Sequence, residues 1–292
     1  MPEIFTVIPT FNSSKFIRPC LDSLLSQSYQ DFEVIVVDNG SKDNTLSLLR
    51  QNYPSVSLIE NKDNLGACRA RNQGIEASQG EWILTLDCDV ILEKDFLKRV
   101  INLARNAGGG VGMFQPKILN NLDRKRIYSC GIFLSKLGRF YDIGSGQPDN
   151  GRFKFPKYIF GTCSAASLYK RRMLEEIKEN TGYFDERFFF LVEDVDLAWR
   201  AQKKGWKARF CPQAVCCHIG NSSETSKEIR QYLCWRNRKI FLTKSGLGKF
   251  KTALFFILYD LPRLFYLFLC NSYVRRDILH KKASDNLGYE GQ

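Results

Sequence analysis

Short apolar runs rich in β-branched residues alternate with helix-like stretches along the first part of the chain. Strands alternating with helices of this length are typical of an α/β fold, with a mostly parallel sheet whose two faces are covered. Ligands of such sheets bind beyond the carboxyl ends of the strands. The predicted strands are 4–9, 32–38, 56–60 and 82–87, and the predicted helices are 14–27, 44–51 and 66–77.

Polar residues follow each of these predicted strands. Because parallel strands end at the same edge of a sheet, we expect the polar segments to converge there, and a nucleotide site is the leading hypothesis. The sequence has neither G-x-G-x-x-G nor G-x-x-x-x-G-K-[ST], so the ligand must be bound without a dinucleotide fingerprint or a P-loop. The polar segments are 9–12, 38–41, 61–64 and 87–89.

Two carboxylates, Asp87 and Asp89, flank Cys88 directly after the apolar run 82–86. Like charges held side by side at the end of a buried strand are costly unless a cation lies between them. Hard oxygen ligands suit Mg²⁺ or Mn²⁺, which also bind diphosphate oxygens. Taken alone the motif is weak, and its position at the end of the fourth strand strengthens it.

Three acids, Glu193, Asp194 and Asp196, open a predicted helix at 193–204. Acids at a helix N-terminus are stabilised by the helix dipole, which is one explanation for them. The other is catalytic, because one of these carboxylates could deprotonate an acceptor hydroxyl as a general base.

Several further polar residues have both a structural and a functional interpretation. Asp38 could bind a base or a ribose, or could cap a turn. The segment 64–66, followed by Arg69 and Arg71, could attract an anion to a helix start, or could form an exposed basic helix face. His218 could be a metal ligand, although an isolated histidine is more often structural.

The second half of the sequence predicts a mixed architecture. We expect a mobile loop at 139–152, which is rich in Gly, Asp and Pro, and a polar helix at 224–244. The predicted strands are 111–117, 161–169, 207–211 and 214–218, with Pro212 between the last two.

Positive charge is concentrated at the C-terminal end. The net charge is +12, and the residues from Arg230 onward contain 12 Lys and Arg against 4 Asp and Glu. The stretch 253–270 is strongly apolar but is interrupted by Asp260, Pro262 and Arg263, which argues against a simple membrane span. Basic residues on both sides favour an interfacial or re-entrant helix on an anionic membrane rather than a nucleic-acid partner. A helix packed on the domain or in a homo-oligomer interface is the alternative.

The cysteine and histidine content indicates which kinds of metal site and cross-link to expect. The ten cysteines contain no C-x-x-C pair and there are two histidines, so we expect neither a zinc site nor a disulfide framework. Reduced thiols predict a cytosolic catalytic domain. The N-terminus runs directly into a predicted strand, and we expect no signal peptide.

In combination these segments resemble family 2 glycosyltransferases of the GT-A fold, and within them the rhamnosyltransferase-like branch. The resemblance implies a mixed, mostly parallel sheet flanked by helices, in a catalytic domain at 1–230. The charge and hydropathy of the remaining residues predict a C-terminal helical appendage at 231–292, a basic, hydrophobic, membrane-associating segment. The matching segments are 7–12, 36–41, 64–66, 70–72, 87–89 and 193–200, with 116–117, 182–186 and 205–207 in addition.

The resemblance also implies roles for individual residues. Asp194 would be the general base, and Asp89 and His218 would hold Mg²⁺ or Mn²⁺. Asp38 would hold the nucleotide base, and Arg71 would lie near the nucleoside or the phosphates. The implied substrate-binding residues are Pro9, Thr10, Asn12, Asp38, Asn39, Asn64, Arg71, Asp87 and Glu193.

The expected activity is transfer of a hexosyl or deoxyhexosyl group from a UDP- or dTDP-sugar to a hydroxyl of a glycan or lipid-linked acceptor, with inversion. We expect this reaction at the cytosolic face of the membrane, in cell-surface glycan or glycolipid synthesis. A sugar-phosphate nucleotidyltransferase and a non-catalytic sugar-nucleotide binder are the alternatives. The sequence does not determine the donor sugar, the acceptor or the linkage.

Overall fold

The computed structural model describes residues 2–135, 138–155, 157–220 and 225–280, which divide into two compact units. The first unit contains the described residues of Met1–Phe189 and Glu193–Ser223, and the second contains those of Phe190–Val192 and Glu224–Gln292. The functional division at residue 230 stays a prediction.

The described part of the first unit alternates strands and helices along its N-terminal half, as predicted. Its strands are β1 (Ile4–Thr10), β2 (Phe32–Asp38), β3 (Ser57–Glu60), β4 (Trp82–Leu86), β5 (Val90–Leu92), β6 (Val111–Asn120), β7 (Ile127–Ser129), β8 (Ile132–Leu134), β9 (Phe140–Asp142), β10 (Tyr158–Ile159), β11 (Ala166–Lys170) and β12 (Lys207–His218). Its helices are α1 (Ile17–Leu25), α2 (Thr45–Asn52), α3 (Gly66–Ala77), α4 (Phe96–Arg105), α5 (Arg171–Ile177) and α6 (Glu193–Lys203), with a 3₁₀ turn at Glu186–Phe188.

The strands form a mixed, mostly parallel sheet, which confirms the predicted fold class. Its order is β10-β12-β6-β11-β4-β1-β2-β3, and β5 and β7 pair with β12 and β6. Strands β1 to β4 are parallel to one another, whereas β11 runs antiparallel between β4 and β6. Strands β8 and β9 form a separate two-stranded sheet.

The central strands are buried along their whole length because helices cover both faces. Every residue of β1 and of β4 is buried, which is what continuous apolar runs in a parallel sheet predict. Helix α1 buries Ile17, Leu21 and Leu24, and α4 buries Phe96 and Val100. Full burial of each of these side chains stabilises the fold by about 1.5–3 kcal/mol.

The structure corrects three local predictions. Residues 139–152 are not a loop throughout, since β9 lies within them and pairs with β8. The strands predicted at 207–211 and 214–218 form one strand, β12, with a register shift between Cys211 and Val215. Pro212 explains the irregularity because it has no N–H to donate to the neighbouring strand. Of the strand predicted at 161–169, the part from Ala166 is observed as β11.

The second unit is helical. It contains α7 (Lys227–Lys244), α8 (Lys249–Phe255), α9 (Leu261–Cys270) and α10 (Ser272–His280), with a π-helical turn at Phe256–Asp260 between α8 and α9. Its core includes Tyr232, Leu233, Leu267 and Val274. The C-terminal helical appendage is therefore present, as predicted.

Two buried polar contacts lie within the second unit. Arg238 Nε donates to Asp260 Oδ1 over 2.6 Å, and both side chains are buried. The fully buried Asn237 side chain donates to the carbonyl oxygens of Phe190 and Leu191, at 2.9 and 2.7 Å. The second contact attaches the short segment Phe190–Val192 to this helical unit.

Most of the apolar helical stretch is exposed. By length and composition, Thr252–Cys270 would suffice to cross a membrane, and 17% of its most apolar window is buried. Six of its exposed apolar side chains recur at the spacing of helical turns. They are Leu254, Ile257, Leu258, Leu261, Phe265 and Leu269, and we call them the apolar stripe; Phe256 and Tyr266 are exposed as well.

Candidate active site

The carboxyl ends of β1, β2, β3 and β4 meet at one edge of the sheet, where the sequence predicts the site. Thr10, which follows the buried Pro9, lies opposite Asp38 in the register of β1 and β2. Strand β4 ends at Leu86, directly before Asp87. The sheet therefore brings together polar strand ends that are distant in sequence.

Asp38 is fully buried, and its own turn occupies its carboxylate. Its Oδ1 accepts a hydrogen bond from Ser41 Oγ at 2.5 Å, and its Oδ2 accepts from the N–H groups of Gly40 and Ser41 at 3.1 and 2.9 Å. The turn-capping interpretation thus describes its observed contacts. The buried hydroxyl of Thr10, on the neighbouring strand, has no hydrogen-bond partner among the described residues. A buried hydroxyl without a partner favours a polar ligand or a water at this edge.

Three asparagines brace the loops around the same edge. Asn12 adopts a left-handed backbone conformation, and its Oδ1 accepts from the Lys42 N–H at 2.8 Å. Asn39 donates to the carbonyl oxygen of Gly66 at 3.1 Å, and Asn64 Oδ1 accepts from the Gly66 N–H at 3.0 Å. These contacts fix the start of α3 against the end of β2.

Asp87, Asp89 and His218 form a compact group that we call the metal triad. Strand β5 pairs with the end of β12, with Val90 opposite His218, and this pairing brings the imidazole to the two acids. His218 Nε2 lies 3.0 Å from Asp89 Oδ1 and 3.8 Å from Asp87 Oδ2. Asp89 is buried, whereas the side chain of Asp87 is 28% exposed.

The metal triad fits a divalent cation. One ligand atom from each residue lies within 4.8 Å of the other two. Two carboxylate oxygens and an imidazole nitrogen suit Mn²⁺, and carboxylates of this kind also hold Mg²⁺. Asp87, being partly exposed, leaves one side of the group accessible to a phosphate ligand.

Arg71 joins the metal triad to the acids that open α6. Its guanidinium is buried and lies 2.7 Å from Asp87 Oδ1 and 2.8 Å from Glu193 Oε1. Burial opposes the charge on Arg71, but Asp87 and Glu193 outweigh it and raise the pKa of the guanidinium. Arg69 instead pairs with Glu186 at 2.9 Å, with its side chain 46% exposed.

Asp194 lies in the first turn of α6 and is half-buried. Its Oδ1 accepts a hydrogen bond from the Val195 N–H at 2.8 Å. Burial, and after it the negative charges of Glu193 and Asp142, raise the pKa of this carboxyl well above its usual range. A carboxylate with a raised pKa is a stronger base, which suits proton removal from a hydroxyl.

Sequence reasoning missed three residues of this region. Ser164 Oγ donates to Glu193 Oε1 at 3.1 Å, and Tyr128 packs edge-on against the His218 ring with centroids 4.4 Å apart. Besides burial, the negative charge of Asp142 helps to raise the pKa of Asp194. No local sequence pattern identifies these three residues, because each lies far in sequence from the site residue that it affects.

Comparisons with known sequences identify the family. Residues 6–178 match the family model for glycosyl transferase family 2. The amylovoran biosynthesis glycosyltransferase AmsB of Erwinia amylovora is 30% identical over 210 residues, which cover 69% of this chain and 64% of AmsB. Glycosyltransferase AglE of Haloferax volcanii is 34% identical over 230 residues, 75% of this chain and 67% of AglE. The chain thus spans less than two thirds of AmsB.

The fold agrees with this assignment. The mannosyltransferase PcManGT from Pyrobaculum calidifontis, solved in complex with GDP-Man and Mn²⁺, superimposes with a TM-score of 0.61. The match covers 91% of this chain and 72% of PcManGT at 21% sequence identity, so it bears on the fold. The rhamnosyltransferase-like branch stays a prediction. Since the family model covers more than half of the sequence, the chain belongs to glycosyltransferase family 2 and has its GT-A fold.

Proposed function

We propose that the protein is an inverting glycosyltransferase that moves a sugar from a nucleotide-diphosphate donor to a hydroxyl group of an acceptor. Family membership supports glycosyl transfer. The observation that carries the mechanism is the bridge through Arg71, which joins the metal triad to the start of α6. Such a reaction requires leaving-group stabilisation and proton removal, and this bridge holds the groups for both at one site.

Donor binding is assigned to the strand ends and to the metal triad. Asp89 and His218 would hold Mg²⁺ or Mn²⁺, with Asp87 beside them. When bound, the cation would offset the negative charge that develops on the departing diphosphate. The complex of PcManGT with GDP-Man and Mn²⁺ supports a nucleotide sugar and a divalent cation as ligands. The proposed nucleotide pocket consists of Pro9, Thr10, Asn12, Asp38, Asn39 and Asn64, with Arg71 on its phosphate side.

Asp194 is the proposed general base. It takes the proton of the acceptor hydroxyl while the hydroxyl oxygen bonds to the anomeric carbon. The bond from that carbon to the diphosphate oxygen breaks, and its electron pair leaves with the diphosphate. A single displacement of this kind inverts the anomeric centre and needs no second carboxylate as nucleophile. Glu193, held by Arg71 and Ser164, would fix the helix start that carries Asp194.

We place the reaction in cell-surface glycan or glycolipid synthesis, at the cytosolic face of the membrane. AmsB acts in amylovoran biosynthesis, which supports glycan synthesis. The apolar stripe and the excess of Lys and Arg from Arg230 onward support attachment to an anionic lipid surface. A UDP- or dTDP-hexose or deoxyhexose is the proposed donor, and a glycan or lipid-linked hydroxyl the proposed acceptor.

Substitution of the proposed base tests this mechanism. Loss of a general base lowers a rate by about 10²–10⁴-fold, so Asp194→Asn should lose transfer and still bind the nucleoside diphosphate with Mn²⁺. Asp31→Asn makes the same chemical change at an exposed position before β2 and should keep full activity. The measurement is nucleoside diphosphate release from a panel of nucleotide sugars. Full transfer by Asp194→Asn would exclude Asp194 as the base.

A second substitution tests the metal triad. Asp89→Ala removes a buried carboxylate ligand, so both Mn²⁺-dependent thermal stabilisation by the nucleotide sugar and transfer should be lost. Pyrophosphate release from a nucleoside triphosphate and a sugar phosphate would instead identify a nucleotidyltransferase. Donor binding without hydrolysis or transfer would identify a non-catalytic binder.

A further inference from the structure

Asp142 lies at the end of β9, in a segment for which sequence reasoning predicted a loop. It pairs in register with Ile132 of β8. Its Oδ1 accepts a hydrogen bond from Ser129 Oγ at 2.6 Å. Ser129 ends β7, which is hydrogen-bonded to β6, and β6 in turn lies beside β12. The pairing with β8 and the hydrogen bond from β7 thus hold the Asp142 carboxylate in place.

The same strand end contacts the metal triad. Tyr128 precedes Ser129 and packs edge-on against the ring of His218, with the ring planes 66° apart. Successive side chains of a strand point to opposite faces, so this contact does not itself place Asp142 at the metal triad.

The connection between Asp142 and the site runs through β8 instead, because the Ile132 N–H donates to the carbonyl oxygen of Gly161 at 2.8 Å. Gly161 in turn packs on α6, where an added Cβ would lie 2.4 Å from the Cβ of Ala198.

Asp142 also lies within electrostatic reach of the proposed base. Burial, the charge of Glu193 and the negative charge of Asp142 together raise the pKa of Asp194. Burial raises the pKa of Asp142 itself, while the bond from Ser129 and the charge of His218 lower it. Ala198 lies one helical turn after Asp194, so the half-buried Asp142, which pairs with Ile132, adjoins the space between the metal triad and the start of α6.

In the proposed reaction the transferred sugar must occupy that space, with its diphosphate at the metal triad and its anomeric carbon facing the base. A carboxylate beside a sugar ring can accept hydrogen bonds from ring hydroxyls, and bonds to a charged acceptor are the stronger kind. Ser129 engages Oδ1, and ionised Asp142 has further lone pairs to offer.

We propose that Asp142 is a donor-specificity residue, which binds a hydroxyl group of the transferred sugar ring. This inference rests on the proposed function of the site. It assigns to the β8–β9 hairpin a part in choosing the donor sugar, whereas the nucleotide is bound at the ends of β1 and β2.

Binding measurements separate the sugar from the nucleotide. Calorimetric titrations with Mn²⁺ would use UDP, dTDP and GDP beside UDP-glucose, dTDP-rhamnose and GDP-mannose. Asp142→Ala should bind the nucleoside diphosphate as wild-type protein does, but should bind the matching nucleotide sugar about 10- to 100-fold more weakly, as expected for loss of a hydrogen bond to a charged group. Asp123→Asn, an exposed acid in the turn before β7, is the control and should change neither affinity.

Each other outcome would overturn the proposal. Unchanged affinity for the nucleotide sugar would remove Asp142 from donor binding. Equal weakening for nucleotide and nucleotide sugar would make its role structural. Failure of wild-type protein to bind any of the nucleoside diphosphates with Mn²⁺ would refute the donor site itself, and this separates failure of the proposed function from failure of this inference.

Discussion

At the scale of a single residue, Arg71 supplies a positive charge beside the two neighbouring acids Asp87 and Asp89. Asp87 and Asp89 were expected to need a cation between them, and a metal ion was the predicted one. The structure adds the Arg71 guanidinium, which pairs with Asp87, while the imidazole of His218, a predicted metal ligand, contacts Asp89. Arg71 is distant in sequence from both acids, so the motif itself could not reveal the pairing.

The pH dependence of the reaction should report the surroundings of Asp194. Burial, Glu193 and Asp142 raise the pKa of this carboxyl, and Arg71 lowers it. The base acts when ionised, so kcat/KM should fall as the pH drops through this raised pKa. Asp142→Asn removes one neighbouring negative charge, stabilises ionised Asp194, and should move the acid limb to lower pH.

Asp142→Glu keeps the charge and serves as the matched control, whose acid limb should stay where the wild-type limb lies. Donor hydrolysis rates measured over a range of pH give the pH at which the acid limb falls, and this pH does not depend on the maximal rate. An unmoved limb in Asp142→Asn would show that Asp142 does not act on the base.

Among the elements, the N-terminal strands could be predicted and the β8–β9 hairpin could not. A buried parallel strand is a continuous apolar run, as in β1 and β4, and such runs are visible in a single sequence. The strands β8 and β9 have three residues each, and their side chains are mixed in burial. Their pairing depends on distant partners such as Gly161, which bridges to Ile132.

The start of α3 also depends on a residue distant in sequence, which a single sequence does not reveal. The sequence predicts that the segment 64–66 either attracts an anion or begins an exposed basic helix face, whereas the observed neighbour of Gly66 is the side chain of Phe189. The φ of Gly66 is +85°, and an added Cβ would lie 2.5 Å from the ring of Phe189. The carbonyl oxygen of Phe189 also accepts from the Cys68 N–H at 3.0 Å, within the first turn of the helix.

Gly66→Ala should therefore destabilise the first unit. A left-handed backbone conformation costs a non-glycine residue about 1–3 kcal/mol, and the collision with Phe189 adds to this cost. Urea unfolding followed by circular dichroism measures the loss. Gly109→Ala is the matched control, because its φ is not left-handed and no atom lies within 4 Å of an added Cβ. Equal stability of the two variants would contradict the proposed role of the glycine.

For the whole molecule, the excess positive charge and the exposed apolar side chains occur together in the C-terminal region of the chain. The sequence places the excess positive charge from Arg230 onward, and the structure shows where the apolar side chains of that region face. Asp260 was expected to interrupt the apolar run, but it is buried against Arg238 and leaves the apolar stripe without an acid. Lys281 and Lys282, two of the basic residues that follow the apolar stretch in the sequence, lie outside the described residues.

Binding to lipid vesicles tests the apolar stripe in the full-length chain. Ile257 and Phe265 are 58% and 69% exposed, and burying each such side chain in the lipid interface is worth about 1.5–3 kcal/mol. Joint substitution of both by Glu should therefore weaken co-sedimentation with phosphatidylglycerol vesicles by more than tenfold.

Wild-type binding should also weaken with added salt and on phosphatidylcholine, because basic residues contribute through attraction to anionic headgroups. Leu122→Glu introduces the same acid at an 88% exposed apolar position in the first unit, before β7, and should bind vesicles as wild-type protein does. If the double variant sediments as wild-type protein does, the apolar stripe does not bind lipid. A concentration-dependent loss of self-association in that variant, with vesicle binding absent throughout, would assign the stripe to an interface between copies of this chain.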